Sequence, residues 1–251
     1  RWQGKLSKRD GDRLGFPVFP LNWTTASGDI YPGFREQGYL PEAFNNLLAF
    51  LGWNPGTEQE IFSLEQLVQA FSLDRVGKAG ARFDPDKAKW FNGQHLRQLS
   101  SPHLGKMFFD AAISVGLEPP SLDYCQKVAI QLKDRALFIN DMLRDGKYFF
   151  TNPESFPDKA VRKRWKPETP DLLLSLVGNF NKTNYSEPNL EHAFKSFLTE
   201  HDLSFGQLGP ALRLALTGQE SGPSLFAIMH LLGKDRTDSR IQFAIQNLSN
   251  A

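Results

Sequence analysis

Two cationic strings carry the residue types with the most obvious chemistry. Lys5-Leu6-Ser7-Lys8-Arg9 sets two lysines three residues apart, with a hydroxyl between them and a guanidinium beside them. Ammonium groups in such a loop can neutralise the charge that builds on a triphosphate as pyrophosphate leaves. The same string also reads as a solvated basic terminus, and its composition alone does not choose. In Lys159-Ala-Val-Arg-Lys-Arg-Trp-Lys166, five of eight residues are basic and Trp165 lies among them. That pattern suits RNA phosphates with an indole as a stacking surface. It suits equally a solvated helix face capped by a buried tryptophan.

Other chemistries find little support. The histidines, His95, His103, His192, His201 and His230, are scattered, with no H-x-x-x-H pair and no carboxylate at a metal-site spacing. His230 falls inside an apolar helical stripe and reads as structural. No nucleophile elbow, Walker loop or G-x-G-x-x-G is present. Cys125 is the sole cysteine, which excludes an internal disulfide and any zinc site with two cysteine ligands. It reads as a small buried hydrophobe.

The elements that must position these groups are helical. Phe44, Leu47, Leu48 and Leu51 follow the i, i+3, i+4, i+7 spacing, with Pro41 suited to the first turn and Gly52 to a left-handed residue after the end. Ser63 and Gln66 predict a capping box, and Asp84-Pro85 an N-cap followed by a first-turn proline. Ser101-Pro102, Thr169-Pro170, Glu187-Pro188 and Gly222-Pro223 each precede a stripe of 3.6-residue period. Ile241, Ala244, Ile245 and Leu248 predict a last short helix. Leu14 to Trp23 holds either a short strand pair or a packed loop. The chain is therefore expected to be mostly α from about residue 38.

With 251 residues, 40% of them hydrophobic and 21 of them Phe, the chain can build one large domain or two to three small ones without metal or disulfide staples. No window is apolar enough for a membrane span. Net charge is +1, so affinity for nucleic acid must come from local patches. Arg1 opens without an initiator Met or an apolar leader, which suggests a fragment of a longer protein. One thiol fits a reducing, cytoplasmic compartment.

Taken in order, Lys5-Leu-Ser-Lys-Arg9, Gln37-Gly-Tyr-Leu-Pro-Glu-Ala43, Leu48-Ala-Phe-Leu-Gly-Trp53, Ile61-Phe-Ser-Leu-Glu-Gln-Leu67 and Phe83-Asp-Pro-Asp-Lys-Ala-Lys-Trp-Phe-Asn92 resemble bacterial glutamyl-tRNA synthetase. Leu212-Arg-Leu-Ala-Leu-Thr-Gly218, Gly222-Pro-Ser-Leu-Phe226 and Leu231-Leu-Gly-Lys234 continue the likeness over nearly the whole length. The segment Leu14 to Phe34 is longer and more aromatic than the usual family connection, and the upstream H-x-G-H signature is absent.

The resemblance implies a carboxyl-terminal portion: a multi-helical stem-contact region over residues 1–99, then an all-α anticodon-binding domain of two subdomains, 100–157 and 158–251. It implies that Lys5, Ser7 and Lys8 meet ATP, with Lys5 and Lys8 catalytic in the whole enzyme. Arg135, Lys195, Arg213, Gly222, Pro223 and Leu225 would contact the tRNA anticodon, although Lys195 stands where the family places arginine. The whole enzyme would use ATP and Mg2+ to join L-glutamate to tRNA(Glu), while this portion alone is expected to hold no cofactor or metal, to be monomeric and to lack catalysis. A stand-alone RNA-binding module and a glutaminyl-type synthetase are the alternatives.

Overall fold

The computed structural model describes residues 16–78 and 83–248, so Lys5, Ser7 and Lys8 lie outside the described residues. The chain divides into two compact units: residues up to Ser100 with Lys133–Asp141, and Ser101–Leu132 with Met142 onward. Among the described residues, twelve α-helices accompany a single two-stranded sheet. The fold is mostly α.

In the first unit, the described part of Leu14 to Trp23 is mostly loop, and a strand pair begins only at its last residue. β1 (Trp23–Thr24) runs antiparallel to β2 (Ile30–Tyr31), with Trp23 opposite Tyr31. Three helices follow: α1 (Pro41–Phe50), α2 (Leu64–Ala70) and α3 (Pro85–Gln98). Their starts are set by local side chains. Ser63 Oγ accepts from Gln66 N at 3.2 Å while Gln66 Oε1 accepts from Ser63 N at 2.8 Å. Asp84 Oδ1 accepts from the amides of Asp86 and Lys87 at 2.9 and 3.2 Å. These bonds satisfy amides that no helical carbonyl can reach.

The end of α1 departs from expectation. Gly52 is not left-handed, and Leu51 closes the helix with a bond back to Leu48 O. The Gly52 carbonyl instead accepts from Gly77 N at 2.7 Å, so tertiary pairing replaces the local cap. The core joins Phe34, Tyr39, Leu47, Ala88 and Phe91, with Trp53, Phe62 and Leu67 in a second cluster. Two buried asparagines tie loops to helices. Asn92 Oδ1 accepts from Leu40 N at 2.7 Å, and its Nδ2 donates to Leu137 O at 2.7 Å.

The second unit begins with α4 (Ser101–Ser114) and α5 (Leu122–Leu132). They approach so closely that a β-carbon at Gly105 would lie 2.7 Å from Gln126 Cα. Leu104, Phe108, Cys125 and Val128 are fully buried here. Burial pushes the Cys125 thiol up to about 11, which leaves it protonated and inert at neutral pH. The chain passes from the first unit into the second within α6 (Ile139–Asp145).

Next come α7 (Asp158–Arg164), α8 (Thr169–Phe180), α9 (Glu187–Glu200), α10 (Phe205–Thr217), α11 (Leu225–Leu232) and α12 (Lys234–Leu248). They enclose one core in which Leu173, Leu176, Phe180, Phe194, Phe197 and Met229 have no exposure. Each such side chain contributes about 1.5–3 kcal/mol relative to exposure. The final helix starts seven residues before Ile241, where the apolar stripe begins. Thr237 and Arg240 occupy buried positions along its first half, their polar atoms satisfied by backbone carbonyls.

Candidate RNA-binding interface

The carboxyl end of α10 and the entry to α11 build a polar corner in the second unit. Gly218 ends α10 in the left-handed conformation, φ 69°, which non-glycine residues rarely adopt. A β-carbon there would also meet Ser155 O at 3.3 Å and Pro153 Cβ at 3.4 Å. The turn then runs through Gly222 and Pro223 to Ser224, the N-cap of α11. Ser224 Oγ donates to Glu187 Oε1 at 2.9 Å and accepts from Ala227 N at 3.4 Å.

Gly222 matters for space rather than backbone freedom. A β-carbon there would stand 3.1 Å from Arg213 Nη1 and 3.5 Å from Tyr148 Oη. Arg213 Nη1 and the Tyr148 hydroxyl, both buried, therefore pack against Gly222. Tyr148 also lines a cleft of about 250 Å³, together with Arg144, Lys147, Asn152, Glu154 and Gln219.

Arg240 holds this corner together from inside. It is 1% exposed and lies on α12. Its Nη1 donates to Leu216 O at 2.6 Å, near the end of α10. Its Nη2 donates to Tyr148 O at 2.6 Å and Thr151 O at 2.9 Å, and its Nε to Asn152 Oδ1 at 3.0 Å. Arg236, one turn earlier, donates to Phe149 O at 3.0 Å. Burial first, and Arg236 next, lower the Arg240 pKa to about 10, so the group stays charged at neutral pH. A cation at the last carbonyls of α10 also complements the helix dipole.

The predicted residues among those described fall into four places. Arg213, Gly222 and Pro223 come together at this corner. Leu225 is buried in the core as the first residue of α11. Lys195, on α9, is exposed and ion-paired with Glu191 at 2.6 Å. Arg135 belongs to the first unit. It ends a 3-10 turn, Lys133–Arg135, and is exposed. Its side chain makes no hydrogen bond or ion pair to another described residue. Its turn is held by α3: Arg97 Nε donates to Asp134 O and Lys133 Nζ to Arg97 O, each at 3.4 Å.

Sequence reasoning missed Tyr148, Arg236 and Arg240. A signal for Arg240 existed. It is in phase with Ala244 and Leu248, a charged residue on an apolar row, and such a residue needs buried partners.

The residues from 95 to 245 match the model of the anticodon binding domain. The chain belongs to that family. It is 46% identical to the glutamate–tRNA ligase of Flavobacterium psychrophilum over 98% of its own length and 48% of that protein. The glutamate–tRNA ligase of Cytophaga hutchinsonii is 41% identical with the same coverage. The crystal structure of a glutamate tRNA ligase from Elizabethkingia meningosepticum in complex with its amino acid is 41% identical. It superposes with a TM-score of 0.95, over 99% of this chain and 49% of that one. The chain thus spans about half the length of the curated relatives it matches. No helix among the described residues is long and apolar enough to cross a membrane. No group of three or more His, Cys, Asp or Glu that could hold a metal ion occurs among the described residues.

Proposed function

We propose that this chain is the tRNA-binding, anticodon-reading part of a glutamate–tRNA ligase, its carboxyl-terminal half. The observation that carries this reading is the corner of Arg213, Gly222 and Tyr148, inside a region that matches the anticodon binding domain. A guanidinium fork suits the planar edge of a base better than an ammonium does. A glycine surface lets an unstacked base approach the backbone, and the first amides of α11 offer donors beside it. Arg135, on its exposed turn, supplies a second fork for a base edge. Lys195 and the basic face of α7 supply phosphate contacts, and exchanging an exposed ion pair such as Lys195–Glu191 for a phosphate costs only about 0–1 kcal/mol.

In the whole protein, glutamate would be activated with ATP as glutamyl-adenylate, releasing pyrophosphate, and moved to the terminal adenosine of its tRNA. Lys5 and Lys8 would neutralise phosphate charge, with Ser7 beside them, and Mg2+ would belong to that upstream site. The compartment would be cytoplasmic. The boundaries proposed for the three regions remain 1–99, 100–157 and 158–251.

The test is binding of the full 251-residue chain to a tRNA(Glu) transcript and to the same transcript with its anticodon swapped. The expected result is a preference for the cognate anticodon and an affinity that falls linearly with salt on logarithmic axes. Arg135→Gln should erode the preference more than the affinity. Equal binding to both transcripts would remove the anticodon-reading role.

A further inference from the structure

We propose that a second cleft, walled by Phe156, Trp165 and Phe243, seats one unstacked RNA base that bears an exocyclic amino group. The proposal rests on the RNA-binding reading above and adds a subsite to it.

The cleft lies entirely in the second unit, between α7, the segment that precedes it, and the end of α12. Its volume is about 450 Å³, within the ~300–1,000 Å³ typical of small-ligand clefts. Phe156 and Phe243 face each other with ring centroids 6.1 Å apart and planes at 38°. Trp165 rests on the main core, as does Phe156, so both rings are held rather than free. Phe243 is 38% exposed, so part of its ring remains open beside Phe156. Val161 and Leu248 also line the cleft.

Charge decides what enters. The carboxylates of Glu154 and Asp158 line the same cleft. With Arg162 as the single cation of the lining they leave it net negative, and they can accept from the exocyclic amine of adenine, cytosine or guanine, which uracil lacks. Arg162 lines the cleft as well, while Lys159, Lys163 and Lys166 are exposed along or just past α7, and none of the four has an ion-pair partner among the described residues. An aromatic slot with acidic acceptors, beside unpaired cations, matches a nucleotide: base inward, phosphate outward.

Position supplies the second argument. Glu154 and Ser155 line this cleft and also the one lined by Tyr148, Gly218 and Gln219. The two clefts share a wall, so neighbouring nucleotides of one single strand can occupy both. The basic tryptophan-bearing string of the sequence thereby acquires a role as the outer rim of a base-stacking site.

Trp165 is the only tryptophan of the second unit, which gives the test its signal. The full chain and its Trp165→Phe variant are titrated with an anticodon stem-loop hairpin, and with a hairpin whose loop purines and cytosines are replaced by uridine. The difference in emission between the two proteins isolates Trp165. Binding of the first hairpin should quench that component at least about twofold. Phe243→Leu removes the aromatic face but keeps apolar bulk, and should weaken binding about five- to 150-fold, the loss of one stacked base. Its salt slope should be unchanged, whereas Arg162→Gln should lower the slope by about one. Phe243→Tyr should bind as the parent does, and the uridine hairpin should bind Phe243→Leu and the parent alike.

Tight hairpin binding with unaltered Trp165 emission and no loss in Phe243→Leu would overturn the second cleft while leaving the proposed function standing. A loss in Phe243→Leu that merely tracks an earlier melting transition would overturn it too. Failure of the parent chain to bind any hairpin would instead defeat the RNA-binding reading beneath it.

Discussion

Replacing Arg240 tests how the corner beside Gly222 is built. Its guanidinium makes four hydrogen bonds, to Leu216 O, Tyr148 O, Thr151 O and Asn152 Oδ1, all to neutral acceptors. Stability therefore comes from satisfying those acceptors, not from a buried ion pair. Arg240→Met keeps much of the apolar volume and leaves four acceptors without this donor. At about 1 kcal/mol for each orphaned group, partly offset by no longer burying a charge, the loss should be about 3 kcal/mol. Arg240→Lys keeps the charge but loses the planar fork, and should cost roughly half as much. Urea unfolding at neutral pH measures both, and with a slope of about 1–3 kcal/mol per molar the methionine variant should shift its midpoint by about 1–3 M. Tyr148 and the end of α10 should then lose their register, and hairpin affinity should fall about tenfold at temperatures where the lysine variant is still folded. A methionine variant that loses under about 1 kcal/mol would show that the carbonyls find other donors and that Arg240 organises nothing.

Gly222→Val should separate binding from folding. The added carbons meet the side-chain ends of Arg213 and Tyr148 rather than backbone, and the longer arginine can give way, so the melting temperature should move by no more than about 2 °C. Hairpin affinity should drop about five- to 100-fold because the approach to the turn is filled, and a calorimetric melt beside a binding isotherm checks the pair. His95 predicts a pH effect in the first unit. It is 6% exposed, its Nε2 lies 3.0 Å from Asn46 Oδ1, and burial lowers its pKa below 6.5. Asn46 Oδ1 also accepts from Phe62 N at 2.9 Å, so the neutral Nε2–H tautomer must donate. The folded state thus binds its proton less readily than the unfolded chain. Stability should be full above about pH 6.5 and fall as the pH drops through that value. His95→Gln should flatten this slope in urea titrations between pH 5 and pH 8, and a parent chain with no such slope would contradict the assignment.

Helix starts were legible because each depends on a few adjacent residues. Ser63 with Gln66, Asp84 with Pro85, and the prolines at 102, 170 and 188 all stand where the chain enters a helix. Helix ends were less so. Gly52 has the right chemistry for a left-handed cap, yet its carbonyl is taken by Gly77, twenty-five residues away, and no local rule sees that bond. The last helix was read short for a related reason. Arg240 and Thr237 break its apolar stripe, and only their buried carbonyl partners explain why they belong inside.

The candidate site divides along the same line. Arg213 and Gly222 were visible as residue types suited to RNA, but what unites them is a distance across a turn, and the tyrosine beside them comes from a 3-10 turn more than sixty residues upstream. Tyr148 alone is unremarkable in sequence; it gains a place because Arg240 grips its carbonyl and that of Leu216 at once. Burying an arginine carries a desolvation cost that an apolar side chain would not, offset here only because its four acceptors are satisfied. Its retention on an otherwise apolar row is explained if the corner must hold one fixed shape while its outer face stays polar enough to take up a base. That links the buried half of α12 to the exposed turn before α11: the same side chain that interrupts the hydrophobic pattern sets the spacing on which RNA reading would depend.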